Sequence, residues 1–214
     1  MSKITAEIAY NYVYYGIKST NFTRNKCLSF LFIIIILGII AILLCSQKLV
    51  IILVAISLAL NLIVSLICYN KWSAKYFLVS QATYALVVCI IIDLIYYAMY
   101  QATSLLVWQD YLVAMILQVA AIPIVAVFTV FHAKTFKEKK YSTLYKIGSA
   151  ISGTVYGISS IVCKIFLTDA SLSVVLTIIS ILINIIVFFL IYAILNAIYR
   201  AFLIGKFNLS IEVA

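Results

Sequence analysis

Apolar residues in this chain come in long unbroken runs, not in the alternation of a strand or the one-sided stripe of a soluble helix. Six runs stand out, near 27–45, 49–69, 77–100, 111–132, 147–167 and 171–199. At about 1.5 Å per residue, each is long enough, or nearly so, to cross a hydrocarbon core of about 30 Å. The first is the shortest, and the last is long enough to tilt or to project beyond the core. Continuous runs exclude a multi-spanning β-barrel, whose strands alternate. The expected fold is an all-α integral membrane protein: a polytopic bundle of six transmembrane helices (27–204), preceded by an interfacial amphipathic helix (1–26) and followed by a short tail (205–214). In the first segment Ile4, Ile8, Tyr12 and Tyr15 recur at helical spacing, beside Tyr10 and Tyr14. That pattern suits a helix lying at the inner headgroup layer, or a docking surface for a protein partner.

Composition agrees: 67% of the residues are hydrophobic and 10% are charged, against about 25% charged in soluble domains. The net charge of +9 invites a nucleic-acid reading until the charges are placed. Lys3, Lys18, Arg24, Lys26, Lys71, Lys75, Lys134, Lys137, Lys139, Lys140, Lys146, Arg200 and Lys206 fall on one predicted side, and only Lys48 and Lys164 on the other. Thirteen against two is the bias of cytoplasmic loops, so both termini are expected in the cytoplasm of a cell (plasma) membrane protein. Attraction to anionic lipid at the cytoplasmic face then accounts for the basic surplus without nucleic acid. No cleavable signal peptide is expected, because the first run starts late and no small-residue cleavage site follows it. The sequons at Asn21 and Asn208 fall on the cytoplasmic side and are expected to stay unmodified.

The connections between runs are too short to fold as domains, so any function sits inside the bundle or is lent to a partner. Asp93 is the one acidic residue inside any long apolar run. An intramembrane carboxylate is costly and marks a candidate site. Counting inward from the outer end of each span places Asp93 about 10 Å deep, Ser57, Gln118, Ser159 and Ser180 about 10–14 Å, and Asn61 and Asn184 about 18–20 Å. Ser57, Asn61 and Ser65 share one helix face, as do Ser180 and Asn184. Asp93 either stays ionised in a wet cavity, paired with Lys164, or is neutral and donates a hydrogen bond to a neighbouring amide or hydroxyl. The first suits a cation or an amine; the second suits proton coupling or helix gluing. Tyr96, Tyr97, Tyr100, Trp108 and Tyr111 ring the outer ends as an aromatic belt, or as a cap over a cationic ligand.

Other motifs are structural first. Ser149, Gly153 and Gly157 form a small-residue face that admits close helix packing, within the chain, with a second copy or with a partner. Pro123 removes a hydrogen bond from the fourth run and is expected to kink it. Ser57/Ser180, Asn61/Asn184, Val64/Val187 and Tyr69/Tyr192 coincide at an offset of 123 residues, a hint of internal repetition. An enzyme is not expected. His132 is the one histidine, near Cys27 and Cys68 only by predicted depth, and a second intramembrane Asp for an aspartyl peptidase is missing. No cofactor or metal is implied, since the five Cys contain no C-x-x-C pair. With no ATP motif in the chain, an ATP-driven process would need a separate ATPase subunit, for which the basic aromatic stretch 134–146 is a contact. Six spans, inside termini and no soluble domain resemble small permease subunits and substrate-capture subunits of multi-component transporters. The leading expectation is a permease or membrane subunit of a transporter with a polar site around Asp93. The other is a membrane interaction protein, such as an immunity, defence or assembly factor.

Overall fold

The computed structural model describes residues 4–18, 23–44, 47–102, 108–136 and 172–211. The expected fifth span lies outside them, and with it Lys164, Ser149, Gly153 and Gly157. The described residues form six helices: α1 (Ala6–Lys18), α2 (Arg24–Leu44), α3 (Lys48–Asn70), α4 (Ala74–Ala102), α5 (Trp108–Lys134) and α6 (Leu172–Phe207). Four contain segments long and apolar enough to cross a membrane: Lys48–Asn70, Ala74–Ala98, Ala114–Lys134 and Ile181–Phe207. In α2 the apolar helix Leu31–Leu43 is shorter. With 36 residues, α6 is about 54 Å long, well beyond the core thickness.

Local chemistry sets the helix ends. Thr5 caps α1, its Oγ1 accepting from the Ile8 amide at 3.4 Å. Glu7 in the first turn and Lys18 in the last both suit the helix dipole. Ser73 caps α4 in the same way through the Tyr76 amide. At the end of α6, Asn208 takes a left-handed conformation (φ 46°). The Leu209 amide then donates to the Ile204 carbonyl at 3.1 Å, the Schellman closure in which Asn replaces the usual Gly. α5 continues through Pro123, whose side lies exposed.

α4 is the central helix. One side packs on α2 and α3 through Val87, Val88 and Ile91, against Ile34, Ala41, Val50 and Val54. Its other side meets α6 and, more sparsely, α5. There Cys89 and Ile92 pack against Ala121, Val125, Val187 and Ile191. Lining up paired residues gives the directions: α5 and α6 run parallel, and both run against α4. One end of the bundle therefore gathers α1, the starts of α2 and α4, and the ends of α3, α5 and α6. Lys18, Arg24, Lys71, Lys75, Lys134, Arg200 and Lys206 all lie toward that end, whereas Lys48 begins α3 at the opposite one. Arg24 ties two of the elements together, donating from Nε to the Tyr69 carbonyl at 3.0 Å and stacking over the Tyr69 ring at 4.0 Å.

The bundle buries a few polar groups in an apolar core and leaves its outer faces apolar. The buried stripe of α3 carries Ser57, Asn61 and Ser65, while Leu43 is 79% exposed and Val127 71%. Such faces are stable only against hydrocarbon or another apolar surface. α1 differs from a helix resting on headgroups. Its stripe Ala9, Tyr12, Val13, Gly16 and Ile17 is buried against the protein, chiefly on α6, in a core shared with Ala74, Phe77, Leu78, Ala133, Ala197 and Leu203.

Candidate functional site

Asp93 is half-buried on the side of α4 that faces α5 and α6, one turn above Cys89. Gln118 reaches it from α5: its Nε2 donates to Asp93 Oδ1 at 3.1 Å and to Asn184 Oδ1 of α6 at 3.3 Å. An amide nitrogen has two protons, so both contacts can be made at once. The Cys89 thiol donates to Asp93 Oδ2 at 3.8 Å. Three helices are thus joined by one carboxyl and two amides, about 14–18 Å from the helix ends opposite α1. Beside the trio lies a cavity of about 250 Å³, walled by Leu86, Val119, Ile122, Val187, Ile191, Ile194 and Leu195, with Cys89 and Gln118 as its polar edge. A carboxyl in this setting can hold a single positive charge or exchange a proton with a neighbour.

The remaining sequence candidates fall elsewhere. Ser57 and Asn61 sit on the face of α3 packed toward α2 and α4, across α4 from Asp93. The Ser57 hydroxyl donates to the Leu53 carbonyl of its own helix at 2.8 Å. Asn61 is 1% exposed and its Nδ2 is buried without a hydrogen-bond partner. Ser180 belongs to α6, but its side chain lies outside the described residues, as do those of Cys27, Tyr100, Trp108 and Tyr111. Tyr96 is buried rather than ringing an outer edge. Cys68 is buried at the end of α3 near the α1 side of the bundle. Among the described residues no three His, Cys, Asp or Glu side chains cluster as metal ligands do.

A second polar cluster, unforeseen from the sequence, lies at the α1 end. Tyr12 inserts fully buried between α5 and α6, its hydroxyl donating to Asn196 Oδ1. Its ring meets His132 edge-on at 5.7 Å and Phe136 at 5.5 Å. His132 Nδ1 lies 3.3 Å from the Tyr192 hydroxyl. The Arg200 guanidinium stacks over the Tyr12 ring at 4.9 Å and against Gly16, where any Cβ would collide with it. The signal was present in the spacing: Tyr192, Asn196 and Arg200 fall on one face of α6, in steps of four. A second cavity, of about 260 Å³, is bounded by Ala126, Thr129 and Val130 of α5 and by Leu195, Ile198, Tyr199 and Phe202 of α6. Thr129 Oγ1 is buried there without a hydrogen-bond partner. No protein-family model, curated protein or solved structure matches the chain.

Proposed function

We propose that the protein is a small permease, or the membrane subunit of a transporter, working through the Asp93 site. The observation that carries this reading is the meeting of Asp93, Gln118 and Asn184 from three helices beside a cavity. Intramembrane carboxylates at such junctions mark ion or proton routes. The proposal includes six spans. It is supported by α5 and α6 running parallel, which calls for a return crossing between them, and by the apolar run 147–167, which has the length for one. The basic end faces the cytoplasm of a cell membrane, with both termini there.

One observation favours a second reading. Gln118 already serves both Asp93 and Asn184, so the trio can act as glue between helices in a protein whose work is to bind another membrane protein. Difference infrared spectroscopy on the protein in lipid, with Asp93→Asn to assign the band, separates the two. For a transport site, the Asp93 carboxyl band shifts on changing pH, or on adding sodium or methylammonium. A band that stays silent to all three defeats the transport reading and leaves the trio as glue.

A further inference from the structure

Among the described residues the guanidinium of Arg200 meets no counter-charge. The side chain is 6% exposed, its Nε is buried without a hydrogen-bond partner, and it lies against the Tyr12 ring and Gly16 of α1. Two acidic side chains are described: Glu7 is exposed at the start of α1, and Asp93 belongs to the other cluster. Burying a cation without an anion is costly, and a cation–π contact offsets only part of that cost. The surroundings favour an anion: Lys18, Lys71, Lys75 and Lys206 lie toward the same end of the bundle. A guanidinium suits a phosphate in particular, since it offers paired donors in the plane of two oxygens.

We propose that Arg200 is the core of a site for the phosphate of an anionic lipid headgroup, covered in this structure by α1. The cover is α1 itself, so exposing Arg200 means undocking its buried stripe of Ala9, Tyr12, Val13, Gly16 and Ile17 from the bundle. The Tyr12 ring lies over one face of the guanidinium, and Gly16, lacking a side chain, lets α1 approach it closely. α1 is amphipathic, with Tyr10 and Lys18 on its exposed side. Once displaced, it rests on the same headgroups that reach Arg200. α1 and the lipid phosphate therefore compete for one cation, and each weakens the hold of the other. This inference rests on the bundle's being membrane-embedded and not on transport.

The test uses the full chain in nanodiscs of phosphatidylcholine with and without phosphatidylglycerol. Lipid retention is read by native mass spectrometry, and α1 docking by deuterium uptake over residues 6–18. Gly16→Ala pushes the flexible guanidinium away from α1 and is expected to raise phosphatidylglycerol retention about fivefold or more, with faster uptake over α1. Adding Arg200→Met to that variant is expected to abolish the gain. Should Gly16→Ala fail to accumulate, Tyr12→Leu carries the same expectation, because it removes the ring but keeps an apolar contact. Unchanged retention in the cover variants, or a gain that survives Arg200→Met, overturns the site. If inorganic phosphate in pure phosphatidylcholine releases α1 equally well, the lipid assignment is overturned in favour of a soluble anion.

Discussion

Asn61 and Gln118 are both amides in apolar surroundings, yet their substitutions should behave in opposite ways. Asn61 Nδ2 is buried without a hydrogen-bond partner, so its desolvation is not repaid on that atom. Asn61→Leu is expected to be neutral or stabilising by up to about 1 kcal/mol in bicelle unfolding. Gln118 serves Asp93 and Asn184 together. Gln118→Leu is expected to cost about 1–2 kcal/mol in the same assay, the upper range for hydrogen bonds between membrane helices. If both variants move stability alike, the side-chain placement on α3 or at the trio is wrong. Tyr12 divides by atom: Tyr12→Phe keeps the ring among His132, Phe136 and Arg200 and loses the bond to Asn196. A cost of about 1 kcal/mol is expected for it, against about 3–5 kcal/mol for Tyr12→Ala, which opens a cavity.

At the scale of elements, the α2–α3 contact turns on Gly38. A Cβ there would stand 2.8 Å from Leu58 Cδ1, the mobile tip of a side chain. Gly38→Ala is thus expected to be accommodated by a small shift of Leu58. Gly38→Val brings two more carbons into the same gap and is expected to cost about 1–3 kcal/mol, read as a lower thermal midpoint in detergent. α1 shows what periodicity alone does and does not say. Helical spacing points to Ile4, Ile8, Tyr12 and Tyr15, of which Tyr12 belongs to the buried stripe of Ala9, Tyr12, Val13, Gly16 and Ile17, and an apolar stripe fits lipid and protein equally well. What decides for protein is the small residue Gly16 opposite Arg200 and the hydroxyl of Tyr12 opposite Asn196, partners far apart in the chain.

For the whole molecule, α3 sets the simplest check on the spanning reading. With native thiols replaced, Lys48→Cys and Lys71→Cys stand at opposite ends of a helix about 35 Å long. In sealed vesicles an impermeant maleimide is expected to label them from opposite sides, Lys71→Cys from the cytoplasmic one; labelling of both from one side defeats the span. The sequence by itself determined that the chain is helical and apolar enough for a membrane, because run length and hydropathy are local properties that every conformation shares. It also singled out Asp93, since a carboxylate in an apolar run is costly wherever the run packs. Which polar groups meet was decided only by the tertiary structure. Depth along each helix follows from counting residues, but rotation about each axis follows from packing. Rotation put Gln118 between Asp93 and Asn184, turned Ser57 and Asn61 to the far side of α4, and drew Tyr12, His132, Asn196 and Arg200 from three helices into a cluster that spacing along one helix could not assemble.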